Sequence, residues 1–197
     1  MAIASDNDDL ALRPDLLEKV TGRAAYISDI RVEGMAYGHI LRSPLPHALI
    51  DGIDVSAALA QDGVIDVLTG EDLSALVEEV AWGLYFNDRP VIALDRVRYV
   101  GEPVAVVVAE TPAIAENALD LIQVDYTALP AVDTAEAAIA PDAPVLHENV
   151  ECLADFYFTG RANPVAGTNI FQKYSVREGN VDNAESTAAR IFEHTYR

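Results

Sequence analysis

Cysteine is nearly absent. Cys152 is the only one in 197 residues, so this chain alone can build no intrachain disulfide, Cys-rich zinc site or iron–sulfur cluster. Its neighbours Glu151 and Leu153 offer no cation to stabilise a thiolate, and a buried spectator thiol is the expected reading. Basic residues are also scarce, with 13 Lys and Arg against 32 Asp and Glu and a net charge of −19 at pH 7. Phosphate recognition needs clustered cations, so no nucleic-acid partner is expected. The acidity reads as a solvated surface, with docking to a basic partner as the second reading. No apolar run is long enough to span a bilayer. Residues 1–17 carry Asp6, Asp8 and Asp9 and lack the basic start and apolar run of a secretory signal, so a soluble cytoplasmic protein is expected.

Apolar residues are plentiful, at 51% of the chain. That is enough for one compact domain with extensions, since ~150 residues hide roughly two thirds of their unfolded surface. Leu10 to Leu17 lacks periodicity and reads as an extended arm broken at Arg13-Pro14. Met35, Tyr37, His39 and Leu41 alternate as in a strand that Pro44 and Pro46 stop. Ala48 to Val55 reads as a second strand, bulged at Gly52, and the two suggest a hairpin-like pair. A short helix capped by Ser56 and ended by Gly63 comes next. It leads to a strand at Val64 to Leu68 and a turn or short helix opened by Thr69-Gly70-Glu71-Asp72.

The firmest local pattern follows. Val104 to Ala109 is an almost continuous apolar run. Thr111 is a good N-cap, and Pro112 stands at the first helical position, where its missing N–H costs nothing. The helix is expected to present Ile114, Ala118 and Leu121 on one face, covering Val106 and Val108 or their neighbours. Ile122 to Thr127 then alternates as a strand, and a mixed sheet with helices on one face is predicted. Leu129 to Pro144 is rich in Ala and Pro, with a short helix at Thr134 to Ile139, and His147 to Gly167 reads as a connector. Beyond it, Ile170, Tyr174 and Val176 suggest a strand, Val181 to Ala188 a helix and Ile191 to Tyr196 another strand, like the opening of a second domain.

Catalytic patterns are missing. His39, His47, His147 and His194 have no i,i+4 partner, the glycines assemble neither a dinucleotide fingerprint nor a phosphate loop, and no serine sits in a nucleophile elbow. Glu71-Asp72 and Glu78-Glu79 read as solvated surface, because chain neighbours rarely converge on one substrate atom. Gly101-Glu102-Pro103 sets a permissive and a rigid residue before a buried strand, which is fold-directing geometry. Trp82, Tyr85 and Phe86 place three aromatics within five residues of a turn-rich segment, where core filling and partner contact both fit.

Four stretches, taken in order, carry a resemblance: Lys19-Val20-Thr21-Gly22-Arg23-Ala24-Ala25-Tyr26-Ile27-Ser28-Asp29-Ile30; Leu41-Arg42-Ser43-Pro44 with His47-Ala48; Thr69-Gly70-Glu71-Asp72-Leu73; and Val97-Arg98-Tyr99-Val100-Gly101-Glu102-Pro103 running on to Thr111. Val124-Asp125-Tyr126-Thr127-Ala128-Leu129-Pro130 completes it. From about Lys19 to Val150 the chain resembles the α/β hammerhead domain of molybdenum hydroxylases, the xanthine dehydrogenase and aldehyde oxidase family. Gly179-Asn180-Val181-Asp182-Asn183-Ala184 and Glu193-His194-Thr195-Tyr196-Arg197 look like the beginning of the molybdenum-binding region. Trp82 to Pro90 matches no family motif.

The resemblance implies an α/β (α+β) hammerhead at 19–150, after an arm at 1–18, with 151–197 as connector and start of the molybdenum-binding region. It also implies a non-catalytic structural role in an enzyme that inserts water-derived oxygen into an aldehyde or N-heterocycle. Molybdopterin, in its cytosine dinucleotide form, would be held by a molybdenum-binding large subunit, the iron–sulfur clusters by another subunit, and FAD by a third. No catalytic, cofactor-binding or metal-binding residue carries over to this chain. Trp82, Tyr85 and Phe86 remain as a candidate partner interface. The rival readings are a free-standing acidic adaptor and a hydrolase using surface carboxylates.

Overall fold

A computed structural model describes residues 15–83, 87–148, 165–173, 175–176 and 178–196. In chain order its helices and main strands are α1 (Leu16–Val20), β1 (Tyr37–Arg42), β2 (Ala48–Asp54), α2 (Ser56–Leu59), β3 (Val64–Thr69), α3 (Gly70–Leu76), β4 (Ala81–Trp82), β5 (Arg89–Pro90), β6 (Arg96–Val97), β7 (Pro103–Ala109), α4 (Pro112–Leu119), β8 (Gln123–Ala128), α5 (Ala135–Ala138) and α6 (Val181–Thr187).

The strands form two three-stranded sheets, β1-β7-β3 and β6-β2-β8, and a ribbon β4-β5. All their pairings are antiparallel. The α/β (α+β) class stands, but the mixed sheet expected within it is instead a set of antiparallel ones. The cause lies at two corners. Ser43 N–H donates to Glu102 O at 2.9 Å and Gly101 N–H donates to Ser43 O at 2.8 Å, tying the end of β1 to the entry of β7. After Pro44 and Pro46, Leu129 N–H donates to His47 O at 2.9 Å, tying the start of β2 to the end of β8. Outside the ribbon, successive strands thus enter different sheets, and β1 and β2 do not form the expected hairpin. The bulge expected at Gly52 is present as a register shift between Ile50 and Gly52.

The main core lies between β7 and the helices. Ala105, Val107 and Ala109 pack with Ala58 of α2, Ala115 and Ala118 of α4, and Val67 of β3. Of the two alternatives on this strand, the neighbours of Val106 and Val108 face α4, while those two valines are only partly buried on the other side. The helix starts as its sequence requires, with Thr111 Oγ1 accepting from Ile114 N–H at 3.3 Å and Pro112 in its first turn. Ile114 packs against the core, but Leu121 falls beyond the end of α4 and is 38% exposed, so it does not cover the strand as expected. A second cluster, Ala48, Ala93, Val97 and Val104, joins β2, β6 and β7, and Ile53 and Val124 pack against both clusters.

Two local readings change and one left open is resolved. Leu16 and Leu17, assigned to an extended arm, open α1, where an ion pair between Lys19 and Asp15 at 2.5 Å spans one turn. The turn or short helix after Thr69 is a helix, with a capping box. Thr69 N–H and Oγ1 donate to Asp72 Oδ2 at 2.8 and 2.6 Å, and Asp72 N–H donates back at 3.4 Å. No strand forms around Ile170 and Val176 or over 191–196 among the described residues, because no neighbouring strand offers a ladder there. Tyr174, also read into that strand, lies outside the described residues, while the helix expected from Val181 is present as α6.

Candidate functional site

The aromatic segment leaves the ribbon β4-β5, in which Trp82 pairs with Arg89. Trp82 is 58% exposed, and the Arg89 guanidinium lies 5.6 Å from its ring centre, a cation–π arrangement. Tyr85 and Phe86 fall outside the described residues, as does Cys152.

Two adjoining cavities open where β5 meets the chain around residue 147. The larger, about 240 Å³, is lined on one side by Leu146 and His147 and on the other by the turn from Val165 to Phe171. The smaller, about 200 Å³, is strongly polar and lined by Asp88, Asp95, Arg96, Arg98 and Glu148 among others. One side chain builds the wall between residues 138–146 and the turn. Asn169 Oδ1 accepts from Leu146 N–H at 2.9 Å, and its Nδ2 donates to Ala138 O at 3.0 Å and Pro144 O at 2.9 Å. The turn closes on itself through Val165 N–H to Ile170 O at 3.0 Å, with Gly167 at φ +70°.

The electrostatics of this cleft are divided. Arg96 pairs with Asp95 at 3.0 Å and Glu148 at 3.3 Å, and the hydrogen bond to Asp95 raises its already high pKa further. Arg98 donates from Nε to Leu146 O at 3.1 Å, and its Nη1 is buried without a hydrogen-bond partner among the described residues. Burial, and after it the Arg98 charge, holds the His147 imidazole below the ordinary histidine range, with Asp88 opposing. Such a group is neutral at physiological pH. Glu102 is 1% exposed and accepts from Arg98 N–H. Burial pushes its carboxyl above the ordinary glutamate range, against the lowering effect of that N–H and of the Arg98 charge.

The guanidiniums and carboxylates of the cleft can orient and bind a polar group. Among the described residues no group of three or more His, Cys, Asp or Glu is placed to hold a metal. His47 is buried, with Nδ1 2.7 Å from Pro130 O, and His194 packs edge-on to Tyr196. Glu71, Glu78 and Glu79 are exposed and Asp72 is spent on the cap, as the solvated reading required. A pterin dinucleotide needs donors for its phosphates, whereas the polar cleft sets Asp88, Asp95 and Glu148 against two guanidiniums. The lining of this cleft therefore does not fit that cofactor. Arg98, His147 and Asn169 escaped sequence reasoning. Arg98 lay inside a recognised run, but nothing local in the sequence shows that Asn169 would reach back more than twenty residues.

The family model for the aldehyde oxidase and xanthine dehydrogenase a/b hammerhead domain matches residues 21–130, more than half the chain. A probable xanthine dehydrogenase subunit of Bacillus subtilis (strain 168) is 37% identical over 190 residues, covering 96% of this chain and 23% of that protein. The nicotinate dehydrogenase large molybdopterin subunit of Eubacterium barkeri is 34% identical over 94% of this chain and 39% of its own length. Among solved structures, quinoline 2-oxidoreductase from Pseudomonas putida 86 superposes with a TM-score of 0.59 at 43% identity, over 64% of this chain and 17% of that one. The chain thus spans well under half the length of these relatives.

Proposed function

Since the chain belongs to the family of aldehyde oxidase and xanthine dehydrogenase a/b hammerhead domains, we propose that it is the hammerhead portion of a molybdenum-dependent hydroxylase or dehydrogenase and acts as a structural, non-catalytic part of it. In the assembled enzyme, water would supply the oxygen inserted into a C–H bond of an aldehyde or N-heterocycle, with two electrons and two protons leaving. The observation that carries this reading is the division of the chain. Residues 21–130 match the hammerhead, whereas α6 and 191–196 are exposed throughout and have no core of their own. We accordingly take 1–18 as an arm, 19–150 as the hammerhead, and 151–197 as connector and start of a molybdenum-binding region.

Molybdopterin, as the cytosine dinucleotide, would sit on a large molybdenum-binding subunit, with iron–sulfur clusters and FAD on others. Trp82, with Tyr85 and Phe86, would meet a partner chain or border the substrate passage. The exposed Trp82 ring and the cavities beside β5 support that placement. Metal analysis and oxidation of an aldehyde or xanthine with an artificial electron acceptor test the proposal. The purified chain should carry no stoichiometric molybdenum, iron or flavin and turn nothing over, and activity should appear on co-expression with the remaining subunits. Turnover by the chain alone would overturn the non-catalytic role.

A further inference from the structure

A strand buried on one face alternates in polarity, whereas a strand buried on both reads as an unbroken apolar run. β7 reads PVAVVVA, without a polar residue. Its Ala105, Val107 and Ala109 lie in the main core with α4. On its opposite face Val104 is covered, in the second cluster with Ala93 and Val97, but the cover stops there. Val106 stands directly between Ile40 of β1 and Leu68 of β3, and Val108 between Gly38 and Asp66. None of Ile40, Leu68, Val106 and Val108 belongs to either core cluster. Ile40 is 40% exposed and the other three are partly exposed. At Gly38 the side chain is missing altogether, and a Cβ there would lie 3.9 Å from Val106 Cγ1, so the patch is dented beside its central valine.

We infer that this face, centred on Val106 between Ile40 and Leu68, is the seat of an apolar surface of the molybdenum-binding polypeptide. The inference rests on the function proposed above and names the surface through which it would act. Two observations select the occupant. The Bacillus subtilis relative matches 96% of this chain with only 23% of its own length, so most of that protein lies outside the match and is available to cover the face. A second copy of this chain is disfavoured, because each copy brings a net charge of −19 to the contact.

The test uses a C152S background, so that one introduced thiol is read at a time. Ile40→Cys is labelled with a maleimide in the purified chain and after co-expression with the molybdenum-binding polypeptide, and Glu116→Cys, on the exposed side of α4, serves as reference. The expected result is at least a tenfold slowing at position 40 on assembly, with little change at 116. In addition, Ile40→Glu should keep the thermal midpoint of the purified chain yet fail to co-purify with its partner. If the chain co-purifies and Ile40→Cys reacts as fast as before, the face assignment is overturned while the proposed function stands. If the unsubstituted chain never co-purifies, it is the proposed function that fails. A dimer of the purified chain in which Ile40→Cys labels slowly, and which Ile40→Glu dissociates, would assign the face to a second copy and overturn the inference.

Discussion

The carboxylate of Glu102 accepts a hydrogen bond from the backbone N–H of Arg98, closing the turn in which Gly101 adopts φ +93° and from which β7 starts. The side chain is almost fully buried and its carboxyl is pushed above the ordinary glutamate range, chiefly by burial. Ionisation therefore opposes folding. The penalty is fully present above the raised folded value and disappears as the pH falls toward the ordinary unfolded one. Glu102→Gln keeps an oxygen to accept from Arg98 and has no charge to lose. The stability of the variant relative to the parent should be highest above the raised value and should decline as the pH is lowered through that window. Chemical denaturation at several pH values measures this, and a constant difference would refute the linkage.

Val106 and Val107 are adjacent but meet different surroundings. Val107 is fully buried in the main core, and Val106 is partly exposed on the opposite face. Val107→Asp would bury an unpaired carboxylate at a cost of several kcal/mol, enough to threaten a domain stable by only ~5–15 kcal/mol. Val106→Asp keeps a route to water and should cost less than half as much. Thermal midpoints of the two variants rank them, and equal losses would show that both faces are buried in this chain.

What was legible in the sequence was local. Thr111-Pro112 announced α4, Gly52 its bulge, Thr69 to Asp72 a turn or short helix, and the run at Val104 a central strand, because each depends on side chains within a few residues. Sheet membership was not legible. It is decided by Ser43 bonding to Gly101 and Glu102 and by His47 bonding to Leu129, contacts across more than fifty residues that no periodicity encodes. The phase of β7 was equally hidden, since an apolar residue at every position gives no alternation to read. The cleft of Arg98, His147 and Asn169 stayed invisible for the same reason, being assembled from three distant stretches of chain.

Gly70 is a case of close approach. An added Cβ would stand 2.2 Å from Ala93 O and 2.9 Å from Ala93 C, backbone atoms that cannot turn aside. The Ala93 segment is itself held, by Ala93 N–H donating to Pro103 O at 2.8 Å at the start of β7. Gly70→Ala should destabilise by about 1–3 kcal/mol, the range of overpacked sites, although alanine is the better helix former. A gain in midpoint would mean that helix propensity outweighs the clash.

Asn169 joins the turn at Val165 to Ile170 to the segment 138–146 with three hydrogen bonds, one accepted from Leu146 N–H and two donated to Ala138 O and Pro144 O. These backbone groups are partly buried, so Asn169→Ala leaves a donor and two acceptors short of a partner, each costing about 1–3 kcal/mol where water cannot replace it. Asn169→Asp can still accept from Leu146 but would face two carbonyl oxygens with a carboxylate, and it should not rescue the loss. The defect should remain local, because neither core cluster includes residues 138–146 or 165–171. Amide exchange at Leu146 and at Val165, whose N–H bonds to Ile170 O, should therefore quicken by about tenfold or more in both variants, while β7 amides keep their protection. Unchanged exchange at Leu146 would show that Asn169 does not hold the turn. Loss of protection in β7 would show that the turn supports the whole hammerhead rather than only the wall of its cleft.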